Sequence, residues 1–314
     1  MKRILRLTLR IAFYALAAVL ALVTLATSIF NIVKFAIYSE YYSIKENVAI
    51  NPGLSDGFVC QGICAVDDTD KILVSGYMKN KSPSRIYVTD TDDNSYFVTL
   101  SKAGDSFTGH AGGISMNGDT VYIANGSRLY FFPLSSVLDA KEGDVVEIGE
   151  GVKVNNSASF CYADEHYVYV GEFHDGGKYV TDHEYDTAEG THYAIVSRYT
   201  HDDLEHPDKI YSIRDRVQGI CFTPDGKVIL STSYGLTDSH YYVYSDADAK
   251  DSGETLDGAP VYYLDNCLRD VKGPAMAEGL DYKSGRIITL TESASDKYIF
   301  GKLFFANKIV SLEI

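Results

Sequence analysis

The sequence predicts an all-β fold, a β-propeller of five four-stranded blades, behind a single N-terminal transmembrane helix. Three observations predict it. A strand–turn–strand pattern recurs five times after residue 58. Successive recurrences lie 51, 46, 60 and 60 residues apart, close to the length of a four-stranded propeller blade with loop insertions. One long apolar run is present, and it lies at the N-terminus.

That N-terminal run comes first in the chain. Lys2, Arg3, Arg6 and Arg10 precede an uncharged stretch over residues 11–33, and Lys34 closes it. About 20 apolar residues in a helix cross a hydrocarbon core of ~30 Å. A cleaved secretory signal carries a shorter apolar core of roughly 7–15 residues before a small-residue site. Here Ala26-Thr27-Ser28 is followed by Ile29 and Phe30, so the segment reads as an uncleaved signal anchor. Basic residues favour the cytoplasmic side. The expected organisation is therefore a cytoplasmic flank at 1–10, a transmembrane anchor at 11–34, a juxtamembrane linker at 35–57 and an extracellular propeller at 58–314. Tyr38, Tyr41 and Tyr42 stand where an interfacial aromatic belt would lie, and residues 48–50 are a short strand.

Charge narrows the partners. Five of the 28 basic residues and none of the 43 acidic ones fall in the first 34 positions, so the remainder carries a formal charge of about −20. Nucleic-acid binding needs a basic footprint, and this surface is the opposite. It suits a soluble ectodomain, a cationic partner or divalent ions. The placement of the five cysteines argues against a disulfide framework: Cys64, Cys161 and Cys221 occupy one position in three copies of the repeat and read as small buried side chains, while the repeat assigns no role to Cys60 and Cys267.

The repeat defines the blades. First strands open at Gln61-Gly62-Ile63, Gly112-Gly113-Ile114, Ala158-Ser159-Phe160, Gln218-Gly219-Ile220 and Glu278-Gly279-Leu280. Turns follow at Asp67-Asp68, Asn117-Gly118, Asp164-Glu165, Pro224-Asp225-Gly226 and Ser284-Gly285, the residue types that tight hairpins favour. Second strands are expected at 71–75, 120–124, 167–171, 227–231 and 286–291. Third strands are expected at 85–89, 128–132, 192–197, 241–244 and 308–314. Fourth strands are expected at 96–100, 145–148, 209–213 and 261–264. The chain ends before a fifth, which residues 48–50 supply by closing the ring. Six blades are the alternative count. The 25 tyrosines and 14 phenylalanines suit the space between twisted sheets.

In such a ring the loops entering first strands and leaving second strands share one face. That rule brings Gln61, His110, Gln218 and Glu278 together with Tyr77, Glu172, Tyr234 and Glu292 around a polar mouth. Gln61, His110, Glu172, Gln218, Tyr234, Glu278 and Glu292 are the expected ligand-binding residues. His110 and Glu278 are the acid–base candidates, since a buried carboxylate is costly unless paired or cation-bound. Glu278, Glu172, His174 and Asp175 are the candidates for holding Ca2+ or Zn2+. Plainer roles exist for each, as caps of loop backbone or partners of neighbouring side chains.

With Gln218-Gly219-Ile220, Pro224-Asp225-Gly226 and Glu278-Gly279-Leu280-Asp281-Tyr282 in view, residues 58–314 resemble the gluconolactonase and strictosidine-synthase group of propellers. The resemblance implies a central divalent metal held near the inner-strand starts in members with hydrolase activity. Glu278 alone matches a carboxylate ligand of that kind. Gln61, Gly112, Ala158 and Gln218 stand at the equivalent positions, and the group has six blades. The leading expectation is a membrane-anchored propeller that binds a ligand or protein partner through the mouth. A metal-dependent hydrolase of lactonase or phosphoesterase type is the first alternative, and a structural cell-envelope assembly protein the second.

Overall fold

The computed structural model describes residues 2–314. Five sheets stand around a central axis, each built on four antiparallel strands with the first innermost, and two of them carry further outer strands. Blade I comprises Phe58–Ala65, Ile72–Met78, Arg85–Thr89 and Ser95–Lys102. Blade II comprises Gly113–Asn117, Thr120–Asn125, Arg128–Pro133 and Val152–Lys153. Blade III comprises Phe160–Ala163, Tyr167–Gly171, Ala194–Thr200 and Lys209–Ile213. Blade IV comprises Val217–Phe222, Lys227–Thr232, Ser239–Ser245 and Arg269–Gly273. Blade V takes Ala277–Lys283, Arg286–Thr291 and Lys308–Leu312 from the C-terminus.

The fourth strand of blade V is Lys45–Ile50, antiparallel to the last strand with Lys45 opposite Leu312 and Ile50 opposite Lys308. The ring is thus closed by hydrogen bonds between the two ends of the chain. Closure of this kind leaves each blade packed on two neighbours and removes the open edge that a stack would expose.

The inner strands meet so closely at the axis that side chains are excluded there. A Cβ on Gly62 would lie 2.5 Å from the Ile114 nitrogen, and one on Gly279 would lie 2.9 Å from the Gly62 Cα. This proximity is why the repeat carries glycine at that position. Further out, aromatics fill the wedge between blades. Tyr169 and Phe222 stack across blades III and IV with centroids 4.0 Å apart, and Tyr199, Tyr211, Tyr241 and Tyr244 are buried completely or nearly so.

Two expected outer strands belong elsewhere. Val145–Glu147 is not the fourth strand of blade II: it runs parallel to the outer strand of blade I, with Val146 opposite Leu100. Ala259–Tyr263, expected to complete blade IV, runs parallel to the outer strand of blade III, with Val261 opposite Ile210. Lys250–Leu256 adds a further strand beyond it. The true fourth strands, Val152–Lys153 and Arg269–Gly273, carry weak apolar signals. The physical reason for the exchange is that an outer strand presents unpaired N–H and C=O groups, and the insertions of blades II and IV cover the preceding blade. Val146 and Val261 are buried by this move.

The N-terminal helix, α1, runs from Lys2 to Ile37, three residues past the expected end of the anchor. A second short helix, α2, spans Ser39–Ile44, where the sequence had indicated no helix. The juxtamembrane tyrosines also depart from expectation. Tyr38 and Tyr41 are buried and dock the helices on blade IV. The Tyr38 hydroxyl donates to Asp238 Oδ1 at 2.7 Å, and Tyr41 stacks on Tyr241 at 6.1 Å. All five cysteines are free thiols, and Cys60, Cys64, Cys161 and Cys221 are buried.

Candidate functional site at the channel mouth

The first turn of the blade V inner strand places Glu278 at the axis with 2 % exposure. Glu292 follows the second strand of the same blade and lies beside it. Their amide neighbours come from opposite directions. Gln61 Nε2 donates to Glu292 Oε2 at 3.0 Å, and Gln218 Nε2 approaches Glu278 Oε1 at 3.4 Å. The expected mouth residues Gln61, Gln218, Glu278 and Glu292 are therefore one cluster, drawn from blades I, IV and V.

Burial, reinforced by mutual repulsion, pushes the Glu278 carboxyl well above the usual carboxylate range. Glu292 is pushed up to about 7, chiefly by burial, against the opposing pull of Tyr298, Lys297 and Gln61. Two carboxyl groups in one site resist ionising together unless positive charge joins them.

Positive charge is at hand. The Lys297 ammonium lies 4.7 Å from the Tyr77 ring centroid and 4.8 Å from that of Tyr298, and it hydrogen-bonds the Tyr77 hydroxyl. Tyr298 lies beside Glu292 and favours its ionised form. His110 packs against Tyr77 with ring centroids 4.7 Å apart. Its solvent-facing ring is held below the usual imidazole range by partial desolvation, then by Lys297 and Lys178.

Lys297 and Tyr298 escaped the sequence reading because they lie beyond the second strand in a long loop with no repeat signature. The signal that could have found them is the length of that loop, residues 292–307, between the second and third strands of blade V.

The remaining candidates are dispersed. Glu172 Oε1 accepts from the Ile195 backbone at 3.1 Å and lies 2.6 Å from His183 Nδ1, so it pins the blade III insertion. Burial lowers and the Glu172 carboxylate raises the His183 pKa, leaving it above its ordinary value. His174 Nδ1 lies 2.8 Å from the Thr181 hydroxyl, and its ring stacks on Tyr193. Asp175 Oδ1 caps the Gly177 and Tyr179 amides at 2.8 Å each. Tyr234 lines a separate cavity of about 460 Å³ with Arg214, Arg216, Asp238 and His240, joined to the mouth through Ser233, whose hydroxyl accepts from Gln218 at 3.3 Å. Glu172, His174 and Asp175 do not gather with Glu278. Among the described residues no three His, Cys, Asp or Glu side chains are grouped to hold a metal ion.

No protein family matches the sequence, and no curated protein sequence matches it. Solved structures with a similar arrangement include the PQQ-bound aldose sugar dehydrogenase of Streptomyces coelicolor, 15 % identical, covering 79 % of this chain and 77 % of that one with a TM-score of 0.44. BamB of Moraxella catarrhalis is similar at 8 % identity, covering 81 % and 83 %, with a TM-score of 0.33. A chain of the mitotic checkpoint complex is similar at 9 % identity, covering 79 % and 73 %, with a TM-score of 0.35. The chain is a five-bladed β-propeller preceded by a helix long and apolar enough to cross a membrane.

Proposed function

We infer that the protein is a membrane-anchored propeller whose channel mouth binds a ligand through an ammonium group. One observation carries this reading: the chain's own Lys297 ammonium rests over Tyr77 and Tyr298 beside the Glu278–Glu292 pair. Aromatic faces with nearby carboxylates are the usual recognition surface for such cations. Lys297 is exposed on a flexible stem and can yield the position to a ligand.

A metal fits the same donors less well. Calcium takes six to eight oxygens and catalytic zinc three protein ligands, whereas the mouth offers two carboxylates and two amides already turned toward them. Proton linkage gives the expected pH dependence. Glu292 titrates at about 7, and the ionised form is the one that attracts a cation, so affinity rises from pH 6 to pH 8.

Calorimetric titration of the detergent-solubilised full chain with putrescine and with tetramethylammonium tests the reading. Saturable binding that weakens at least ~10-fold in Glu292→Gln, the scale of a lost charge-assisted contact, is the expected result. No saturable binding of either probe at pH 8 would overturn it. Stoichiometric calcium binding that disappears in Glu278→Gln, with ester or lactone hydrolysis, would instead favour the metal-dependent hydrolase.

A further inference from the structure

A second cavity, of about 390 Å³, lies where α1 meets blade V, and its lining is unlike the rest of the molecule. Lys34, Lys45 and Lys308 line it together with Asn31, Tyr42 and Phe305, and no carboxylate does. In a segment of net charge about −20 outside the anchor, three lysines around one acid-free pocket are a local reversal of sign. Lys34 is buried, at 4 % exposure. Its ammonium donates to the Phe304 carbonyl at 2.8 Å and lies near the Phe35 and Phe305 rings. Lys45 Nζ donates to Asn47 Oδ1 at 2.6 Å. Lys308 has a carboxylate nearby, Asp93 at 3.7 Å, outside the pocket, whereas among the described residues Lys34 and Lys45 have no anionic partner.

The surroundings place this pocket at a lipid boundary. Thr27, Phe30, Asn31, Lys34 and Tyr38 are the positions of the helix end that lose exposure, a spacing of three to four that marks one face. That face packs along the blade V loop, where Phe30 meets Phe304 edge to face at 5.6 Å. The same loop turns Ile299, Phe300 and Phe305 outward at 80 %, 69 % and 59 % exposure. An apolar loop alongside the last turns of an apolar helix extends the helix's lipid-facing surface rather than the propeller's aqueous one.

We propose that this pocket seats the phosphate of an anionic phospholipid while residues 299–305 enter the same leaflet. The consequence is an orientation. The loop joins the second and third strands of blade V, and Asp238, the partner of Tyr38, lies in the corresponding connection of blade IV. Both belong to the face that carries the Glu278 mouth, so that mouth opens toward the bilayer surface.

The proposal rests on α1 being a membrane anchor, and the experiment separates the two. The full chain is first reconstituted into vesicles and washed with alkaline carbonate; loss from the floated fraction would overturn the anchor itself. With the anchor retained, native mass spectrometry of the detergent-solubilised chain compares phosphatidylglycerol, phosphatidylcholine and inorganic phosphate. Selective retention of phosphatidylglycerol, reduced about 10-fold by Lys34→Gln or by the milder Lys45→Gln, is expected. Equal retention of both lipids, or occupancy by inorganic phosphate as strong as by lipid, overturns the headgroup pocket. The chain contains no tryptophan, so Phe300→Trp introduces a single reporter of depth. Quenching by brominated acyl chains is expected, with none for Phe131→Trp on blade II. Absence of quenching in Phe300→Trp overturns the loop insertion while leaving the anchor standing.

Discussion

Glu292 and Asp281 are acids whose surroundings oppose their ionisation. Each is pushed up to about 7, mainly by burial, although Asp281 accepts from the Ala65 and Tyr282 amides at 2.6 and 2.8 Å. A carboxyl group with a raised folded-state pKa holds its proton where the unfolded chain has lost it. Stability therefore falls as pH rises from about 4.5 toward 7. His183, also raised, contributes in the same direction above pH 6.5, as its pairing with Glu172 is lost. Thermal unfolding at pH 5.5 and 7.5 should show the higher midpoint at pH 5.5, and Glu292→Gln should shrink the difference. An unchanged difference in that variant would assign the effect elsewhere. Lys297 pulls both mouth carboxyls down, so Lys297→Ala should move the pH midpoint of cation binding upward in the same titrations. At the axis, Gly279→Val should cost several kcal/mol, because its Cβ would meet the Gly62 backbone at 2.9 Å and backbone cannot swing aside as a side chain can. Urea unfolding would measure that loss.

The strand exchange between blades makes a sharp comparison possible within one segment. Val146 is 3 % exposed and Val145 67 % exposed, because successive residues of a strand face opposite sides. Val146→Ala should destabilise by about 1–3 kcal/mol, and Val145→Ala should leave stability within ~0.5 kcal/mol. Equal effects in urea unfolding would contradict the parallel pairing with Ser95–Lys102. The docking of α2 is open to a similar test. Tyr41 is buried against Tyr241 and Gly273, so Tyr41→Ala should cost about 3 kcal/mol or more. These outer strands were only partly legible beforehand. Ser95–Lys102 and Lys209–Ile213 were found because they are apolar and in order, whereas Arg269–Gly273 carries Asp270 and Lys272 on exposed positions and Arg269 on a half-buried one. The stronger apolar signals at 145–148 and 261–264 drew the assignment to strands that serve a neighbouring blade.

Ring closure belongs to the molecule as a whole. Lys45–Ile50 pairs with the C-terminal strand across more than 250 residues of chain, so blade V has its fourth strand only when both ends are present. A chain lacking residues 1–37 should keep one cooperative urea transition. A chain lacking residues 1–50 should unfold at markedly lower urea with a broadened transition, since loss of the closing strand bares the edge of Lys308–Leu312. Identical transitions for the two truncations would show that the closing strand contributes nothing.

Local chemistry determined much of this protein without a structure. Hairpin turns at Asn117-Gly118 and Pro224-Asp225-Gly226, glycines at the inner-strand starts and the charge-free run after Arg10 express period, backbone freedom and hydropathy, which act between near neighbours. They were enough for five blades, an anchor-length helix and the meeting of Gln61, Gln218, Glu278 and Glu292 at one mouth. The tertiary structure alone decided which blade each outer strand joins, that Tyr38 and Tyr41 dock the helix on blade IV, and that Lys297 and Tyr298 fold over the carboxylate pair. Each of those outcomes depends on which unpaired edge, cavity or charge lies within reach after the ring has closed, and no short stretch of sequence carries that information.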